Sequence, residues 1–381
     1  MTAPLPLAGV RILSLAHLYP GPFATMLLAD LGADVIIVED PRGGDRTRRF
    51  PGHFEALNRN KRAIALDLKS RDGNDAFLRL VRTSDVVLEG FRPGVMARLG
   101  LDADTLRRHR PDLVFVSISG YGQDGPMHGH GAHDLSLQAA AGMLRVPPGR
   151  EHETELPSLV LGDIAAATSA ALGIVSALYQ RRTQDHAPVV DVSMLDCAVA
   201  WMAPYLVPHM NGLAGARLPP QDPAYGVFAC ADGAQITLSL SGEDHLWRSL
   251  CGLLGLDDDL ARLDEAARIR DRRRIQDRLR AVIATRARDE LMVDLELARV
   301  PHGPVCTLDE VADVPQIRAR ELIVDHTDPA GGTTRYVRQP LVFDGHRTGV
   351  SCRAPRLGEH TEEVLQSAGL TAPEIDRVLA R

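Results

Sequence analysis

One aspartate stands out among the residues that could carry chemistry, because it is the only charged residue in a long apolar run. The run at 159–179 reads LVLGDIAAATSAALGIVSALY, and its single charge is Asp163. Two interpretations are open. Asp163 can cap a helix by accepting a hydrogen bond from a backbone N–H group of the first turn. Alternatively, the helix dipole keeps it ionised at the mouth of a core helix while apolar walls limit its solvation, which makes it a candidate nucleophile or base.

Three histidines precede this run in the segment HGHGAHDLSLQAAAG. We interpret His128 and His130 as exposed loop residues, and His133 as a candidate proton-transfer group because histidine titrates near neutral pH. Asp134, the next residue, is a natural N-cap for a helix over 135–143. The histidine spacing does not match a zinc-binding pattern, so we predict no metal site.

Basic residues cluster in the segment NRNKRAIALDLKS at 58–70. They are either ordinary surface charges or donors to the polyphosphate tail of an anionic cofactor. The segment lacks the G-x-x-x-x-G-K-[ST] pattern of a P-loop, so binding would proceed without magnesium. The four cations are Arg59, Lys61, Arg62 and Lys69.

Two further motifs place charged residues at turns. In EGFRPGVMARLG, Pro93 can open a helix, while Arg92 at the end of a strand can reach into a ligand crevice. In LSLSGEDHLW, Ser241 and Asp244 fit the start of a capped helix. That arrangement leaves Glu243 free to face a cleft between two domains.

The elements that position these residues alternate between strand and helix in the first half of the chain. This order predicts an α/β fold with a mainly parallel sheet. Loops rich in glycine and proline follow the strands, and ligands of open α/β sheets bind in such loops. The predicted strands are 10–15, 34–38, 63–67, 85–88 and 113–118, and the predicted helices are 23–31 and 75–82.

The length of 381 residues favours two domains over one. The alternating pattern breaks at a linker rich in proline and glycine over 204–223, and a hairpin follows at 225–240 with its turn at 231–233. The basic stretch 269–288 carries apolar residues at helical spacing, which predicts a solvated helix that packs its other face.

Composition narrows the class of protein. The formal net charge of -7 argues against a dedicated nucleic-acid surface. The five cysteines are scattered and suggest neither a disulfide framework nor a zinc site, which fits a reduced cytoplasm. The first residues lack the pattern of a secretory signal. Asp163 and the small polar residues around it favour a buried core helix at 159–179 over a membrane span.

Eight ordered motifs then resemble one family over nearly the whole chain. They are the opening LAGVRILSLAHLYPGPFATMLLADLGADVIIVEDPRGGD, then LNRNKRAIALDLKS, EGFRPGVMARLGLD, SISGYGQDGP, LGD at 161–163, VVDVSMLD, PHGPVCTLDEVADVPQIRAR and LGEHTEEVL. Together they are similar to the family III CoA-transferases, such as formyl-CoA and carnitine CoA-transferases, and to their relatives, the α-methylacyl-CoA racemases.

The resemblance implies a Rossmann-like large domain built from both chain ends, with a smaller α+β domain inserted, in a homodimer of two subunits interlocked like rings. We expect the large domain at 1–205 and 335–381 and the small domain at 222–325, joined by linkers at 206–221 and 326–334. No cofactor is expected to be bound permanently, because a coenzyme A thioester is the substrate.

The resemblance assigns the catalytic carboxylate to Asp163. In the transferases this residue attacks the acyl-CoA thioester and passes CoA, through an aspartyl-CoA thioester, to a carboxylic acid acceptor. The resemblance also implies contacts with CoA at Leu18, Leu66, Lys69, Phe91, Arg98 and Met194.

The racemase branch is the alternative, in which a His and an Asp exchange the proton α to the thioester. His133 falls where racemases carry their His and many transferases carry Tyr, and Glu243 and Arg92 also look similar to racemase positions. SGYGQDGP, Gln138–Ala139 and the contexts LGD and VSMLD look more like transferases, which we favour. No glycine run near Glu243 resembles the one in formyl-CoA transferases, which argues against formate and oxalate.

Two other classes are less favoured. A nicotinamide- or nucleotide-binding module would explain the strand–loop–helix–strand start, but the loop HLYPGP lacks G-x-G-x-x-G. A protein that binds acyl-CoA without turnover would not need Asp163.

Overall fold

The computed structural model of the protein describes residues 5–145, 156–184, 187–213 and 221–380. The chain divides into two compact units. The large unit contains both ends of the chain, Met1–Leu206 and Arg320–Arg381, and the small unit is Val207–Ala319. After the small unit, the chain therefore re-enters the large unit at Arg320, whereas the sequence suggested that it does so at 335.

The first half of the large unit alternates strands and helices, as the hydrophobic pattern predicts. Its elements are β1 (Arg11–Ser14), α1 (Pro20–Asp30), β2 (Asp34–Glu39), α2 (Pro51–Asn58), β3 (Lys61–Ala65), α3 (Arg71–Arg82), β4 (Val86–Glu89), α4 (Val95–Arg98), α5 (Ala103–His109), β5 (Val114–Ser119), α6 (Asp134–Ala140), α7 (Leu161–Gln180), β6 (Val189–Ser193), α8 (Met194–Trp201) and α9 (Ala203–Met210). Short 3-10 turns lie at Arg46–Arg49 and Met143–Arg145.

These strands form one parallel sheet in the order β3-β2-β1-β4-β5-β6. The predicted parallel α/β sheet is confirmed. The order reverses between β1 and β4, and ligands of such sheets bind outside the carboxyl ends of the strands at the reversal. The reversal therefore marks the place where a site is expected.

Helices cover both faces of the sheet. On one face, the small side chains of α7 allow it to pack closely on α1 and α8 and on β5 and β6. On the other face, α3 packs its apolar stripe into a second core, and Ser70 caps this helix by accepting the Gly73 N–H at 3.0 Å. The end of the chain completes that second core with Val364, Leu365 and Ile375.

The rest of the large unit follows the small one in the chain. It comprises β10 (Ile323–Thr327), β11 (Thr333–Val337), β12 (Val342–Phe343), β13 (His346–Arg347), α16 (Thr361–Ser367) and α17 (Ala372–Leu379). β10 pairs with β11, and β12 with β13, both antiparallel.

The small unit is built on three antiparallel strands in the order β7-β8-β9, with helices packed around Trp247. Its elements are β7 (Tyr225–Ala229), β8 (Gln235–Ser239), α10 (Asp244–Leu254), α11 (Asp258–Ala261), α12 (Glu265–Arg270), α13 (Arg272–Ile283), α14 (Arg288–Leu297), β9 (His302–Pro304), a 3-10 turn at Val311–Asp313 and α15 (Pro315–Ala319). The predicted hairpin is confirmed, and α13 buries Ile275, Leu279 and Ile283 as its spacing indicates. Helix α9 occupies part of the predicted linker, while 214–220 lies outside the described residues.

One helix in the described part of the chain, α7, is long and apolar enough to cross a membrane by length and composition. In the large unit this same helix is a core element, packed between α1 and α8.

A buried ion pair holds the small unit together. Arg268 and Asp222 are both fully buried, and Arg268 Nε donates to Asp222 Oδ2 at 3.0 Å. Arg268 also donates to Asp244 Oδ1 at 2.7 Å, and its guanidinium lies 5.4 Å from the centre of the Trp247 ring.

We expect Arg268→Ala to lower the free energy of unfolding of the small unit by about 3–5 kcal/mol, because it leaves Asp222 charged, buried and unpaired. Urea unfolding followed by Trp247 fluorescence measures this in a Trp201→Phe background, which removes the second tryptophan. Arg278→Ala is the control. It breaks an exposed 3.6 Å pair with Asp257 and should cost less than about 1 kcal/mol. Equal costs for the two variants would contradict the role of the buried pair.

Candidate active site

Asp163 lies in the first turn of α7, as its third residue, and is partly buried. The N-cap position belongs to Val160, whose side chain cannot accept a hydrogen bond. The interpretation of Asp163 as an N-cap is therefore wrong. Its carboxylate is not engaged in capping its own helix.

A second carboxylate occupies the start of α7. Asp134 Oδ1 accepts the backbone N–H of Asp163 at 3.1 Å, and Asp134 Oδ2 accepts Gln138 Nε2 at 2.6 Å. Gln138 also donates to the carbonyl of Leu159 at 3.1 Å. Gly162 allows the Asp134 carboxylate to come this close to the start of α7, because a methyl group at position 162 would lie 2.9 Å from Asp134 Oδ1. Asp134 is the first helical residue of α6, after His133 at the N-cap position, so it caps α7 and not its own helix.

These surroundings raise the pKa of Asp163 to about 7, first through burial and then through repulsion from Asp134. The helix dipole therefore does not keep the carboxylate fully ionised. Near neutral pH it is divided between the neutral acid and the charged nucleophile or base. A pKa matched to the working pH is typical of catalytic carboxylates.

Tyr19 is a neighbour of Asp163 that sequence reasoning missed. Burial and the charge of Asp163 both raise the pKa of the Tyr19 phenol. The ring lies 5.6 Å from the Phe23 ring and 5.8 Å from the His53 ring, measured between centroids. Its place in the loop HLYPGP, after a central strand of a parallel sheet, is the signal that could have found it.

Arg92 follows β4 and packs against the loop that ends at His133. A methyl group on Gly131 would lie 2.8 Å from Arg92 Nη2, so the guanidinium lies directly against this loop. Across the reversal of strand order, the His17 and Phe91 rings lie 6.4 Å apart. The loops after β1 and β4 and the histidine loop therefore surround one region at the carboxyl ends of the strands.

The side chains of His128, His130 and His133 are all exposed. His128 Nδ1 is 2.8 Å from the Gly125 carbonyl, and the His130 ring lies 6.3 Å from the Tyr121 ring. The backbone N–H of His133 donates to Ser136 Oγ at 3.3 Å. The contacts of His128 and His130 are ordinary loop contacts, and the role of His133 stays a prediction.

The expected CoA contacts all follow strands at the carboxyl edge of the sheet. Lys69 and Arg98 are exposed, Leu18 is 39% exposed and Phe91 is partly buried. Leu66 is 2% exposed within the core, so it would reach a ligand only through its main chain. Met194 is also buried, as the first residue of α8 after β6.

The other cations of the 58–70 segment are occupied within the protein. Arg59 pairs with buried Asp30 at 2.6 Å, and Arg62 pairs with Asp34 at 2.7 Å. Lys61 is 2% exposed and donates to the Pro22 carbonyl at 2.8 Å. The hypothesis that these three bind a polyphosphate is therefore wrong, because Arg59 and Lys61 are buried and Arg62 is paired with a carboxylate of the fold.

Glu243 belongs to the small unit. It is the N-cap residue of α10, and its carboxylate accepts the Ser241 N–H at 2.6 Å. Asp244 bonds to Arg268, so the predicted Ser241–Asp244 cap does not form. Among the described residues, no group of three His, Cys, Asp or Glu side chains is placed to hold a metal ion.

Comparison with known proteins identifies the family. The sequence model of the family described as CoA-transferase family III matches residues 7–361. The chain therefore belongs to this family. The succinate–glutarate CoA-transferase of Agrobacterium fabrum is 32% identical, covering 94% of this chain and 95% of the relative. The succinyl-CoA:mesaconate CoA-transferase of Haloarcula marismortui is also 32% identical, covering 95% of this chain and 96% of the relative.

A solved structure, a CAIB/BAIF family protein from Brucella suis, has a TM-score of 0.85 and 28% identity, covering 96% of this chain and all of that one. Together these matches make the chain a CoA-transferase enzyme that uses CoA thioesters, and they favour the transferase branch over the racemase.

We expect kcat/KM for an acyl-CoA to rise with pH and level off, with an inflection near 7, because a carboxyl group such as that of Asp163 acts as a nucleophile or base only when it is ionised. Asp134→Asn removes the neighbouring negative charge but keeps an oxygen for the Asp163 N–H. Its inflection should therefore move to lower pH. A pH series of initial rates for both proteins measures this. An inflection of kcat/KM near pH 4 would contradict the assignment of this ionisation to Asp163. So would an inflection that stays at the same pH in Asp134→Asn.

Proposed function

We propose that this enzyme moves CoA from an acyl-CoA thioester to a free carboxylic acid, with Asp163 as the covalent nucleophile. The observation that carries the proposal is the half-buried Asp163 carboxylate at the start of α7, whose pKa of about 7 lets it ionise at neutral pH. Tyr19 and Asp134 border it, and the surrounding loops follow neighbouring strands of one sheet.

The proposed reaction has two symmetric halves. An Asp163 oxygen attacks the thioester carbonyl carbon, the C–S bond breaks, and CoA thiolate leaves a mixed anhydride. The thiolate then attacks the Asp163 carbonyl carbon, which releases the donor acid and forms aspartyl-CoA. The acceptor carboxylate attacks aspartyl-CoA in the same way, and the returning thiolate takes the new acyl group and frees Asp163. Each thioester bond is exchanged for another bond of high energy, so no external energy source is needed.

Each tetrahedral intermediate carries a negatively charged oxygen, which hydrogen-bond donors must stabilise. The first turn of a helix normally supplies them from its free backbone N–H groups. In α7 the N–H of Asp163 is already bonded to Asp134 Oδ1. We propose that Asp134 thereby orients the nucleophile, and that the oxyanion is stabilised by other groups.

For the substrate class we propose short dicarboxylic acids. The names of several relatives refer to succinate, glutarate, mesaconate, D-citramalate and oxalate. The exposed cations Arg92 and Lys69 at the carboxyl edge of the sheet are compatible with anionic substrates. A fatty acyl-CoA should be tested as a donor beside the CoA thioesters of these acids. The reason is that a 32% identical Mycobacterium tuberculosis protein is named a probable fatty acyl-CoA transferase.

We expect hydroxylamine to convert Asp163 into a hydroxamate during turnover with succinyl-CoA, because the activated aspartyl group is its target. Mass spectrometry of the peptide that contains Asp163 detects the product. The same incubation without acyl-CoA, and the variant Asp163→Asn, should give no hydroxamate. Asp163→Asn should also lose transferase activity by about 10³-fold or more.

The variant His133→Ala separates the transferase from the racemase. In a transferase it should still form the hydroxamate at Asp163. An unmodified Asp163, together with His133-dependent deuterium uptake from heavy water into a 2-methylacyl-CoA, would overturn the proposal in favour of proton transfer by His133 and Asp163.

We also propose that the enzyme works as a homodimer with interlocked subunits, as the family resemblance implies. Three large apolar side chains on one face of α7 support a partner there. Leu172 is 68% exposed, Val175 40% and Tyr179 72%. An uncovered apolar face of this kind typically marks an interface.

Sedimentation equilibrium should therefore give twice the chain mass of 41.4 kDa. The double variant Leu172→Lys with Tyr179→Lys should shift the protein towards monomer, because it places charges in the apolar contact. A matched pair of surface changes, Arg71→Glu and Asp75→Lys, should leave the mass unchanged. A monomeric wild type would contradict the proposal.

A further inference from the structure

The segment 17–22 contains the end of the loop after β1 and the first residues of α1, and buried charged residues that the proposed chemistry does not use hold it in place. We propose that one of them, Asp45, is a positioning residue for CoA thioester binding, because it fixes the backbone of Leu18 at the reversal of strand order. This inference rests on the proposed function, since it needs a CoA thioester as ligand.

Leu18 has an unusual backbone conformation. Its φ angle is +70°, in the left-handed region that leucine rarely adopts, because the side chain crowds the backbone there. The side chain is also 39% exposed, so it is accessible to a ligand. Strained residues of this kind persist only where neighbours fix them, and they cluster at ligand sites.

Asp45 supplies the contact that fixes Leu18. Its carboxylate is 2% exposed, and Oδ2 accepts the Leu18 N–H at 3.0 Å. Oδ1 accepts both the N–H and the hydroxyl of Thr47, each at 2.8 Å. One oxygen therefore serves the loop after β1, while the other serves the turn that carries Asp45 itself.

A second buried network holds Asp45 in place. Its own N–H donates to Glu39 Oε1 at 2.8 Å, at the end of β2. Arg48 binds both oxygens of Glu39, at 2.7 and 2.5 Å, and its guanidinium lies 4.0 Å from the centre of the Phe54 ring. Arg48 also donates to the Pro355 carbonyl at 3.1 Å, which ties the arrangement to the end of the chain.

The first turn of α1, which follows the loop, is fixed independently. Lys61 donates to the Pro22 carbonyl at 2.8 Å and to Asn58 Oδ1 at 2.9 Å. Tyr19, the neighbour of Asp163, lies between the two anchored positions. Asp45 therefore positions Leu18, at the edge where ligands of such sheets bind, and Leu18 directly precedes the tyrosine whose pKa responds to the charge of Asp163.

The test is Asp45→Asn, with Thr47→Val as the matched control. An amide has one acceptor oxygen, and the two donors of Thr47 outcompete the single N–H of Leu18 for it. The Leu18 contact is therefore lost. We expect KM for the acyl-CoA, and Kd for CoA itself, to rise about tenfold. Thr47→Val removes the hydroxyl contact to Asp45 and leaves Leu18 bonded, so it should lower thermal stability without changing KM.

A double-mutant cycle with Leu18→Gly tests the mechanism, because glycine adopts a positive φ without strain. In the Leu18→Gly background, Asp45→Asn should raise KM by less than about threefold. If Asp45→Asn lowers stability as Thr47→Val does and leaves KM and Kd unchanged, Asp45 is only structural and the inference fails. An equal rise in KM in both backgrounds also overturns it.

Hydrogen exchange of the unmodified enzyme provides a test that does not depend on the variants folding. The Leu18 amide should exchange at least tenfold more slowly than the intrinsic rate of the same amide in an unstructured chain. Unprotected exchange at Leu18 contradicts the inference. A wild type that binds CoA but transfers none would refute the proposed function alone, because the Kd comparison still reports on Asp45.

Discussion

The contact between Asp134 and the start of α7 is the constraint on which the site depends. In this contact the Asp134 carboxylate accepts the backbone N–H of Asp163, with 3.1 Å between Asp134 Oδ1 and the Asp163 nitrogen. The hydrogen bond caps the helix, and the charge of Asp134 adds to burial, the larger effect, in raising the pKa of Asp163. The same contact therefore orients Asp163 and contributes to its raised pKa. It also explains the glycine at 162, since any side chain there would collide with Asp134.

The parallel sheet brings the other parts of the site to one edge. Residues after β1, β3, β4 and β6 are distant in sequence, but parallel strands end on the same side. The loop after β1 needs further support, because it has no regular hydrogen bonds of its own. Buried Asp45 and Lys61 supply that support from outside the loop. Their cost of burial is offset by complete hydrogen bonding around Asp45 and by the carbonyl and amide oxygens around Lys61.

Sequence patterns predicted the elements well where one physical signal dominated. Apolar β-branched runs identified the first five strands of the large unit but not β6 or the later hairpins, and helical spacing identified the buried face of α13. Local capping was predicted poorly. Asp163, Asp134 and Ser241 all have suitable side chains for caps, yet Val160, His133 and Glu243 occupy the N-cap positions. For Asp134, the propensity to cap its own helix gives way because its carboxylate binds the start of α7 instead.

The sequence by itself determined the class of fold and the family, because hydrophobic alternation and ordered motifs are properties of the chain. It also singled out Asp163 as a charge in apolar surroundings. Only the tertiary structure decided what each charge does. Arg59, Lys61 and Arg62 form a basic run in sequence, but folding buries or pairs them against Asp30, Pro22 and Asp34. Tyr19 and Asp134 reach Asp163 from other loops. The free energy of a charge depends on its distance from other charges and on the exclusion of water, and both are set only when the chain has folded.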